Sequence, residues 1–492
     1  MKKTTLLSAI LIGALINVLS AQPGTPDNTF GTGGKIKTNI NFYTQVSLLI
    51  QQDGKMIEVG CLLDNFNYFF LARFNADGTV DSSFGTNGRV STRVSNGGTY
   101  LADAAMLQSD GKIVVVGEDL TGGNIALFRY NTNGALDNTF ATGGKLITEY
   151  IHPSSIAIQS DGKVVIAGTV ALDFAINRYN ADGALDNTFG TNGKVTTNLG
   201  PDKDKIKDIA IQADGKIVAA GSSGNKSTNL TEFALVRYNT NGTLDNSFGT
   251  GGILTANIDG NPNIITSMAL QADGKIVVTG NTWLSGPPSL NLLIVRFNAN
   301  GTIDNNFGTN GIINYGDVRN LQQFVKIQVD GKILVAADGT YNLLRYNTNG
   351  TLDNSFGTNG KIIIDTNSFD PTSLAIQENS KIVVSGIFNG IGGIGYSILR
   401  YNSGLIVGMA DISSENNSQM IYPNPTNGKF TVELDNQISE IKIFDILGNE
   451  LYDQKLHAFK TEFDLSSQPK GIYLLKIYDP SNKVAIKKVI MQ

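Results

Sequence analysis

Short apolar runs separated by polar turns fill most of the chain, and the same group of four runs recurs about every 50 residues. In the fourth group the runs span 206–212, 216–220, 233–238 and 252–256. Gly215 and Gly242 stand in the turns between them, and glycine tolerates the positive φ that a tight hairpin turn requires. The pattern predicts four short antiparallel strands in each group, which is the sequence form of a β-propeller blade.

Three signatures recur seven times and interleave with one another. Asp-Gly-Lys, degraded to Asn-Ser-Lys in the last copy, follows the first run and begins at Asp53, Asp110, Asp161, Asp214, Asp273, Asp330 and Asn379. An Arg-aromatic-Asn triplet ends the third run, at Arg73, Arg129, Arg178, Arg237, Arg296, Arg345 and Arg400. An Asp-x-x-Phe motif precedes the fourth run, at Asp27, Asp81, Asp137, Asp186, Asp245, Asp304 and Asp353. These patterns predict seven blades, with the motif phenylalanines packed between neighbouring sheets.

The repeats begin and end in the middle of a unit. Asp27 opens a fourth-run motif with no earlier runs before it, and Arg400 ends a third run with no fourth run after it. The two incomplete parts complement each other, so we expect an all-β, seven-bladed β-propeller closed by its N-terminal strand. We also expect Asp27 to pair with Arg400 and close the ring, because an aspartate can bind an arginine on the adjoining strand.

Strand alternation places the connections of each blade at two opposite ends. The turns between the first and second strands, and between the third and fourth, share what we call the constant end, because their lengths are fixed. The other connections vary in length and share the variable end, and variable loops on a rigid scaffold commonly carry recognition. Phe66, Tyr68 and Trp283 fall in the variable segments, and we expect them to mark a ligand-binding face.

The recurring strings resemble a known family of repeats. They are Gln-x-Asp-Gly-Lys-Ile-Val-Val-x-Gly, Arg-Tyr-Asn and Leu-Asp-x-x-Phe-Gly-Thr-x-Gly, and they are similar to the delta-60 repeats of β-propellers. The resemblance covers about residues 24–402. It implies the propeller fold and carries no common activity.

After Asn402 the repeat stops and a separate module follows. Short stretches of alternating apolar and polar residues between 429 and 491 predict a small β-sandwich. The module resembles the type A C-terminal sorting domain of the type IX secretion system of Bacteroidetes-type bacteria. The matching residues include Tyr422, Pro423, Asn424, Pro425, Gly448, Gly471, Tyr473, Lys487 and Lys488. The resemblance implies passage through the periplasm, translocation by the type IX machinery, and release or attachment at the outer cell surface.

The first residues have the layout of a secretory signal peptide, which implies the Sec machinery as a partner. Two lysines precede an apolar stretch from Leu6 to Leu19, and Ala21 offers a cleavage point. The stretch is short for a membrane span, so we expect no transmembrane segment. The expected organisation is a signal peptide at 1–21, a propeller at 22–403, a linker at 404–420 and a sorting domain at 421–492.

Composition narrows the available chemistry. The 492 residues carry a formal net charge of −5 and include one cysteine and two histidines. One cysteine excludes an internal disulfide, and the acidic balance argues against nucleic acid as a partner. We expect no cofactor. Calcium is the alternative at the turns around Asp77 and Asp182, although a hard cation needs several oxygens with more negative charge than these turns supply.

We therefore expect a secreted or cell-surface protein that binds a glycan or a surface protein, acts as a monomer and is not an enzyme. The alternative is a secreted carbohydrate-active enzyme, because paired carboxylates suffice to cleave a glycosidic bond. The carboxylates in or near the variable loops are Asp173, Asp202, Asp204, Glu232 and Asp338.

Overall fold

The computed structural model describes residues 22–38, 40, 42–62, 65–95, 99–120, 123–148, 151–200, 202–225, 230–284, 290–316, 318–339, 342–364, 369–390, 393–405, 420–445, 450–478 and 484–491. The expected signal peptide, most of the expected linker and Gly448 lie outside these residues. The described residues form strands and turns, and no helix among them is long and apolar enough to span a membrane. The all-β prediction is confirmed.

Seven four-stranded sheets, which we call blades 1 to 7, form the described part of the repeat region. The N-terminal strand is β1 (Lys35–Thr38). Blade 1 contains β2 (Phe42–Ile50), β3 (Met56–Leu62), β4 (Asn65–Phe74) and β5 (Arg89–Arg93). Blade 2 contains β6 (Tyr100–Leu107), β7 (Ile113–Asp119), β8 (Ile125–Tyr130) and β9 (Lys145–Thr148). Blade 3 contains β10 (His152–Ile158), β11 (Val164–Val170), β12 (Asp173–Tyr179) and β13 (Lys194–Thr197).

The remaining blades follow the same order. Blade 4 contains β14 (Lys205–Ile211), β15 (Ile217–Asn225), β16 (Leu230–Tyr238) and β17 (Ile253–Ala256). Blade 5 contains β18 (Asn263–Leu270), β19 (Ile276–Trp283), β20 (Leu290–Phe297) and β21 (Ile312–Tyr315). Blade 6 contains β22 (Val318–Ile327), β23 (Ile333–Gly339), β24 (Leu343–Tyr346) and β25 (Lys361–Ile362). Blade 7 contains β26 (Phe369–Ile376), β27 (Ile382–Gly390) and β28 (Gly393–Tyr401), and its fourth strand is β1.

The blades are arranged in a ring. The first strand of each blade contacts the first strand of the next, from β2 through β6, β10, β14, β18 and β22 to β26, and β26 contacts β2 again. The first strands are therefore the innermost and surround the central channel of a propeller. Alternate residues of the second strand face opposite neighbours, so that Ile57 and Val59 of blade 1 pack with Ile113 and Val115 of blade 2.

The arginine of each Arg-aromatic-Asn triplet links two blades. Its Nε donates to the aspartate of the Asp-x-x-Phe motif at 2.7–2.8 Å in all seven copies. Its Nη1 donates to a backbone carbonyl of the next blade, at the turn between the third and fourth strands. The guanidinium also lies 4.4–4.7 Å from the ring centroid of the motif phenylalanine. Each buried arginine side chain thus binds the motif aspartate and the motif phenylalanine of its own blade, together with a backbone carbonyl of the next blade.

Blade 7 is assembled from two distant parts of the chain. Strand β1 pairs antiparallel with β28, with Lys35 opposite Leu399. Arg400 Nε donates to Asp27 Oδ2 at 2.8 Å, and the Asp27 backbone N–H donates to the Arg400 carbonyl at 2.8 Å. Lys381 Nζ lies 3.3 Å from the same carboxylate. The N-terminal segment therefore occupies the place that the fourth strand holds in the other blades.

The turn between the third and fourth strands of blade 7 is split between residues 402–403 and residues 23–24. Arg345 of blade 6 donates to the carbonyl of Ser403, and the Gly357 N–H donates to the carbonyl of Pro23 at 2.9 Å. In the other blades the corresponding bonds reach an unbroken turn. Gly24 has φ +81°, and a Cβ there would lie 2.4 Å from Gly357 N, so only glycine fits this position.

Side-chain hydrogen bonds link the inner strands of adjacent blades around the channel, and the sequence does not predict them. Side-chain oxygens that follow a bulge in the inner strand accept a backbone N–H from the next blade. The pairs are Ser47 with Ala105 (3.1 Å), Asp208 with Met268 (2.8 Å), Ser267 with Val325 (3.4 Å) and Ser373 with Leu48 (3.3 Å). Each bond satisfies a buried backbone donor that has no partner strand on that side.

The C-terminal module is a five-stranded sheet of β29 (Met420–Tyr422), β30 (Lys429–Phe444), β31 (Glu450–Asp464), β32 (Gly471–Tyr478) and β33 (Val484–Met491). Strand β30 is one strand of 16 residues, longer than the short stretches that the sequence pattern predicts, and its pairing with β31 shifts register between Glu433 and Ile438. Because of this irregularity both halves face one core, to which Val432 and Ile441 contribute.

We propose that the Asp27–Arg400 pair fastens the ring. Replacing Asp27 by asparagine leaves the buried Arg400 guanidinium without its counter-charge, and we expect the free energy of unfolding to fall by about 3–5 kcal/mol. Urea denaturation followed by the fluorescence of Trp283, the single tryptophan, measures this change. The control is Asp53→Asn, because Asp53 has a side chain 56% exposed and pairs with Lys55 at the surface. We expect a change below about 1 kcal/mol there. Equal unfolding free energies for the two variants would contradict the proposal.

Candidate functional site

At the constant end, the polar side chains of the turns form hydrogen bonds within their own turns. In the first turn of blade 1, Asp53 Oδ1 accepts the Lys55 backbone N–H at 3.1 Å, and five later copies repeat this bond with aspartate and one with Asn379. In the second turn, Asp77 Oδ1 accepts the N–H and the hydroxyl of Thr79 at 2.9 and 2.7 Å. These oxygens are committed to closing their turns.

The described residues contain no preformed cluster of ligands for calcium or another metal. No group of three or more His, Cys, Asp and Glu side chains there could hold a metal ion. Asp81, the carboxylate that follows the Asp77 turn, is bound by Arg73 Nε at 2.8 Å and lies 3.3 Å from Lys55 Nζ. Its hydrogen bonds to Ser83, together with the charge of Arg73, outweigh burial and hold its pKa down at about 2.

A polar cavity of about 460 Å³ opens at the constant end between blades 3 and 4. Gln159, Lys163, Arg178 and Thr240 are among its lining residues. Arg178 is already bound to Asp186 and to the Thr240 carbonyl, and Lys163 Nζ is bound to Asp161 at 2.8 Å. The cavity therefore belongs to the structural arginine network and leaves little charge for a ligand.

The variable end carries a cluster of ionisable groups at the junction of blades 2 and 3. Glu118 is the penultimate residue of β7, and His152 begins β10 of the next blade. His152 Nδ1 and Glu118 Oε2 lie 2.6 Å apart, with side chains 56% and 19% exposed. Asp103 lies in β6, at the bulge of the inner strand beside Glu118. The topology brings together three residues that are far apart in the sequence.

Asp103 is protonated at neutral pH in this setting. Burial raises the pKa of its carboxyl group to about 8, and the nearby negative charge of Glu118 adds to this effect, while the Glu118 backbone N–H opposes it. Asp103 Oδ2 has no hydrogen-bond partner among the described residues. A carboxyl group that keeps its proton beside a second carboxyl group is the arrangement by which enzymes separate a general acid from a general base.

Tyr100 extends the cluster toward the rim of blade 2. Burial raises the pKa of its phenol, and the charge of Asp119, the last residue of β7, raises it further. The Tyr100 side chain is buried, and its hydroxyl is hydrogen-bonded to Asp119. The variable end of blade 2 thus places the Asp103 carboxyl group beside the Glu118 side chain, next to a Tyr100 that is already bound.

The aromatic residues expected to mark a ligand face lie on two blades that are not neighbours. Phe66 is in the backbone of β4, and its side chain lies outside the description. Tyr68 is half-buried in the same strand, opposite Arg93 of β5. Trp283 ends β19 of blade 5, where it is half-buried and its backbone N–H donates to the Pro262 carbonyl at 3.1 Å. The structure therefore does not bring Tyr68 and Trp283 into one platform.

The loop carboxylates considered from the sequence serve different purposes. Asp204 is fully buried and accepts hydrogen bonds from the Leu199 N–H at 2.9 Å and the Ser223 hydroxyl at 2.7 Å, so it holds a loop in place. Asp173 accepts a bond from Asn198 at 2.7 Å, and Asp338 is 5% exposed. Sequence reasoning missed Asp103 and Glu118, although both occupy positions in the repeat that are apolar or neutral in most other copies.

The sorting motif fastens the start of the C-terminal module to its last strand. Asn424 Oδ1 accepts the Ile490 backbone N–H at 2.9 Å, and the Thr426 N–H donates to the Ile490 carbonyl at 2.8 Å. Tyr473 is buried and its hydroxyl donates to the Pro469 carbonyl. Lys487 and the backbone of Lys488 lie in β33, whereas the Lys488 side chain lies outside the description. The Tyr-Pro-Asn-Pro segment is thus anchored next to the C-terminal strand.

The fold of the repeat region and the C-terminal module together define an exported protein of the β-propeller class. Residues 420–492 match the model of the secretion system C-terminal sorting domain. Six segments match the domain of unknown function DUF5122 beta-propeller: 51–84, 108–140, 159–189, 212–248, 271–307 and 328–356. The chain therefore carries DUF5122 propeller repeats and a secretion sorting domain, as the sequence resemblances implied, and it is destined for the cell surface or the medium.

Individual relatives cover the chain unevenly. Ulvan lyase NLR42 of Nonlabens ulvanivorans is 36% identical over 73 residues, 14% of each chain. PorZ, a surface component of the type IX secretion system of Porphyromonas gingivalis, has a structure with 13% identity and a TM-score of 0.42; the match covers 93% of this chain and 60% of PorZ. Polysaccharide lyase Uly1 has 12% identity and a TM-score of 0.41, with 77% and 93% covered. The chain thus spans a seventh of the curated relative it matches.

The expectation that the chain is not an enzyme is wrong. A curated relative of part of the chain is an ulvan lyase, so the missing sequence motif does not exclude catalysis. The sequence shows no motif because two carboxyl groups can meet in the fold without any fixed spacing along the chain. Asp103 and Glu118 come from two adjacent strands, and only strand pairing and a bulge bring them together.

The electrostatic coupling within the cluster is testable. Replacing Glu118 by glutamine removes a negative charge beside Asp103, so we expect the pKa of Asp103 to fall below about 8 while burial keeps it above its ordinary 3.8. Carboxyl-carbon NMR titration of the full chain measures this pKa. Asp110→Asn, which removes an exposed charge at the constant end, is the control and should leave the titration unchanged. An Asp103 pKa that does not move in Glu118→Gln would contradict the coupling.

Proposed function

We propose that this exported propeller works on an extracellular polysaccharide at its variable end and cleaves glycosidic bonds with Asp103 and Glu118. The observation that carries the proposal is the pair of adjacent carboxyl groups, one of which keeps its proton at neutral pH. Glycoside hydrolysis needs such a pair. The protonated acid donates its proton to the leaving oxygen, and the carboxylate either activates the attacking water or attacks the anomeric carbon of the sugar.

The residues take distinct roles in this proposal. Asp103 donates its proton to the glycosidic oxygen as the bond breaks, and Glu118 in its ionised form assists the incoming water. His152 positions Glu118 through the 2.6 Å contact between Nδ1 and Oε2. The products are a new reducing end and a new hydroxyl group, so a single water molecule balances the reaction. Because Asp103 must be protonated, activity should decline as the pH rises through about 8.

Binding without cleavage, as in an adhesion scaffold, is the second candidate function. It is favoured by exposed leucines at the variable end, in the connections between second and third strands. Leu120, Leu172 and Leu284 are 55%, 48% and 37% exposed. Leu120 and Leu172 belong to neighbouring blades, and apolar side chains at the tips of adjacent loops suit contact with the ring faces of sugars or with a protein surface.

Release of reducing ends from a panel of plant, algal and bacterial polysaccharides distinguishes the two candidates. We expect the full-length protein to release reducing ends from at least one polymer. Asp103→Asn and Glu118→Gln should each lower the rate at least about 100-fold, the usual cost of losing a general acid or base. Asp110→Asn at the constant end is the matched control and should keep the rate. Binding without release would favour the adhesion scaffold, and a wild-type rate in Asp103→Asn would contradict the assigned acid.

A further inference from the structure

Three lysines form a ridge where the chain enters the inner strand of blade 4. Lys203, Lys205 and Lys207 are exposed, whereas Asp204 and Ile206 between them are buried. Lys203 and Lys205 are alternate residues of an extended chain and point to the same side, and Lys207 is exposed at the bulge between Ile206 and Asp208. Strand β14 begins at the variable end and lines the centre of the ring, which places the lysine ridge at the mouth of the central channel.

The lysine ridge forms no ion pair with the described residues. None of its three ammonium groups makes a hydrogen bond or an ion pair there, and Asp204 is committed to Leu199 and Ser223. The seven lysines of the Asp-Gly-Lys signature and its degraded copy differ, because each lies within 3.0–3.8 Å of a motif aspartate. Lys207 keeps part of its surface exposed, and its partial burial lowers its pKa, as does the neighbouring charge of Lys205. Like charges held side by side in a partly enclosed place favour an anionic ligand.

We propose that Lys203, Lys205 and Lys207 bind the carboxylate or sulfate groups of an acidic polysaccharide at the mouth of the channel. This inference rests on the proposed function and names its substrate class. Residues two apart in a strand are about 6.6 Å from each other, so the ridge presents a row of charges that fits a polymer with repeated anionic groups better than a single small anion. Nucleic acid shares that repeated charge, but the protein has a net charge of −5 and carries a secretion sorting domain, which favours an extracellular polysaccharide.

Binding of the full-length protein to defined polymers tests the ridge. The probes are polygalacturonate for carboxylate, dextran sulfate for sulfate, neutral dextran, and duplex DNA. We expect binding to at least one acidic polysaccharide, no binding to neutral dextran, and weaker binding as salt is raised because the interaction is between charges. The triple variant Lys203→Gln, Lys205→Gln, Lys207→Gln should lose affinity at least tenfold.

A charge-matched control separates the ridge from net charge. Replacing Lys37, Lys194 and Lys361 of the outer strands by glutamine removes three charges away from the channel and should leave the affinity unchanged. Equal losses in both triple variants, or no binding of either acidic polysaccharide, would overturn the proposal. Tighter binding of DNA than of both acidic polysaccharides through the same lysines would replace the polysaccharide by nucleic acid.

The two proposals can fail separately. Binding is measured on Asp103→Asn as well as on the wild type, since the ridge does not depend on the acid. Binding of an acidic polysaccharide without cleavage of any polymer would support the ridge and contradict the proposed enzyme. Cleavage of a neutral polysaccharide without binding of the acidic ones would contradict the ridge and support the enzyme.

Discussion

The structure depends on one repeated interaction, the buried arginine that ends the third strand of each blade. Its guanidinium binds an aspartate and an aromatic ring of its own blade and a backbone carbonyl of the next. Charge-assisted hydrogen bonds are strong only when each buried donor has a partner. Every arginine therefore requires a following blade, and this requirement can be met seven times only if the last blade meets the first. Ring closure by the N-terminal segment is the consequence, because it supplies Asp27 and the missing half of a turn.

The same interaction divides the molecule into two functional ends. The arginines, lysines and aspartates of the repeats neutralise one another at the constant end, where the turns also consume their own polar atoms. The described residues of the variable end form no such repeated network, and this end can hold groups whose charges are not matched. Glu118 beside a protonated Asp103, and the unpaired lysines of the lysine ridge, both lie there. A rigid ring thus supports a surface that is free to carry ionisable groups at unusual pKa values.

The sequence predicts the repeated features well and the individual ones poorly. The strands, turns and arginine signature recur with the period of the blade, so each copy supports the others. Asp103 is invisible to this reasoning because it stands at an inner-strand bulge that recurs in most blades, where the residue type changes from copy to copy. The lysine ridge is hidden because Lys203 and Lys205 alternate with aspartates, and only the burial of Asp204 separates the charges in space. Glu58 stands where other blades have Val115 or Val384, and burial raises its pKa to about 8, a cost that no repeat predicts.

Hydrogen–deuterium exchange of the N-terminal strand tests closure of the ring most directly. Strand β1 (Lys35–Thr38) pairs with β28 across more than 350 residues of sequence, whereas β9 (Lys145–Thr148) has the same length and the same place in blade 2 but a local partner. We predict that the paired amides of the two strands exchange with similar protection, and that both lose it together when the propeller unfolds. Free exchange of β1 while β9 stays protected would show that the N-terminal segment does not complete the last blade.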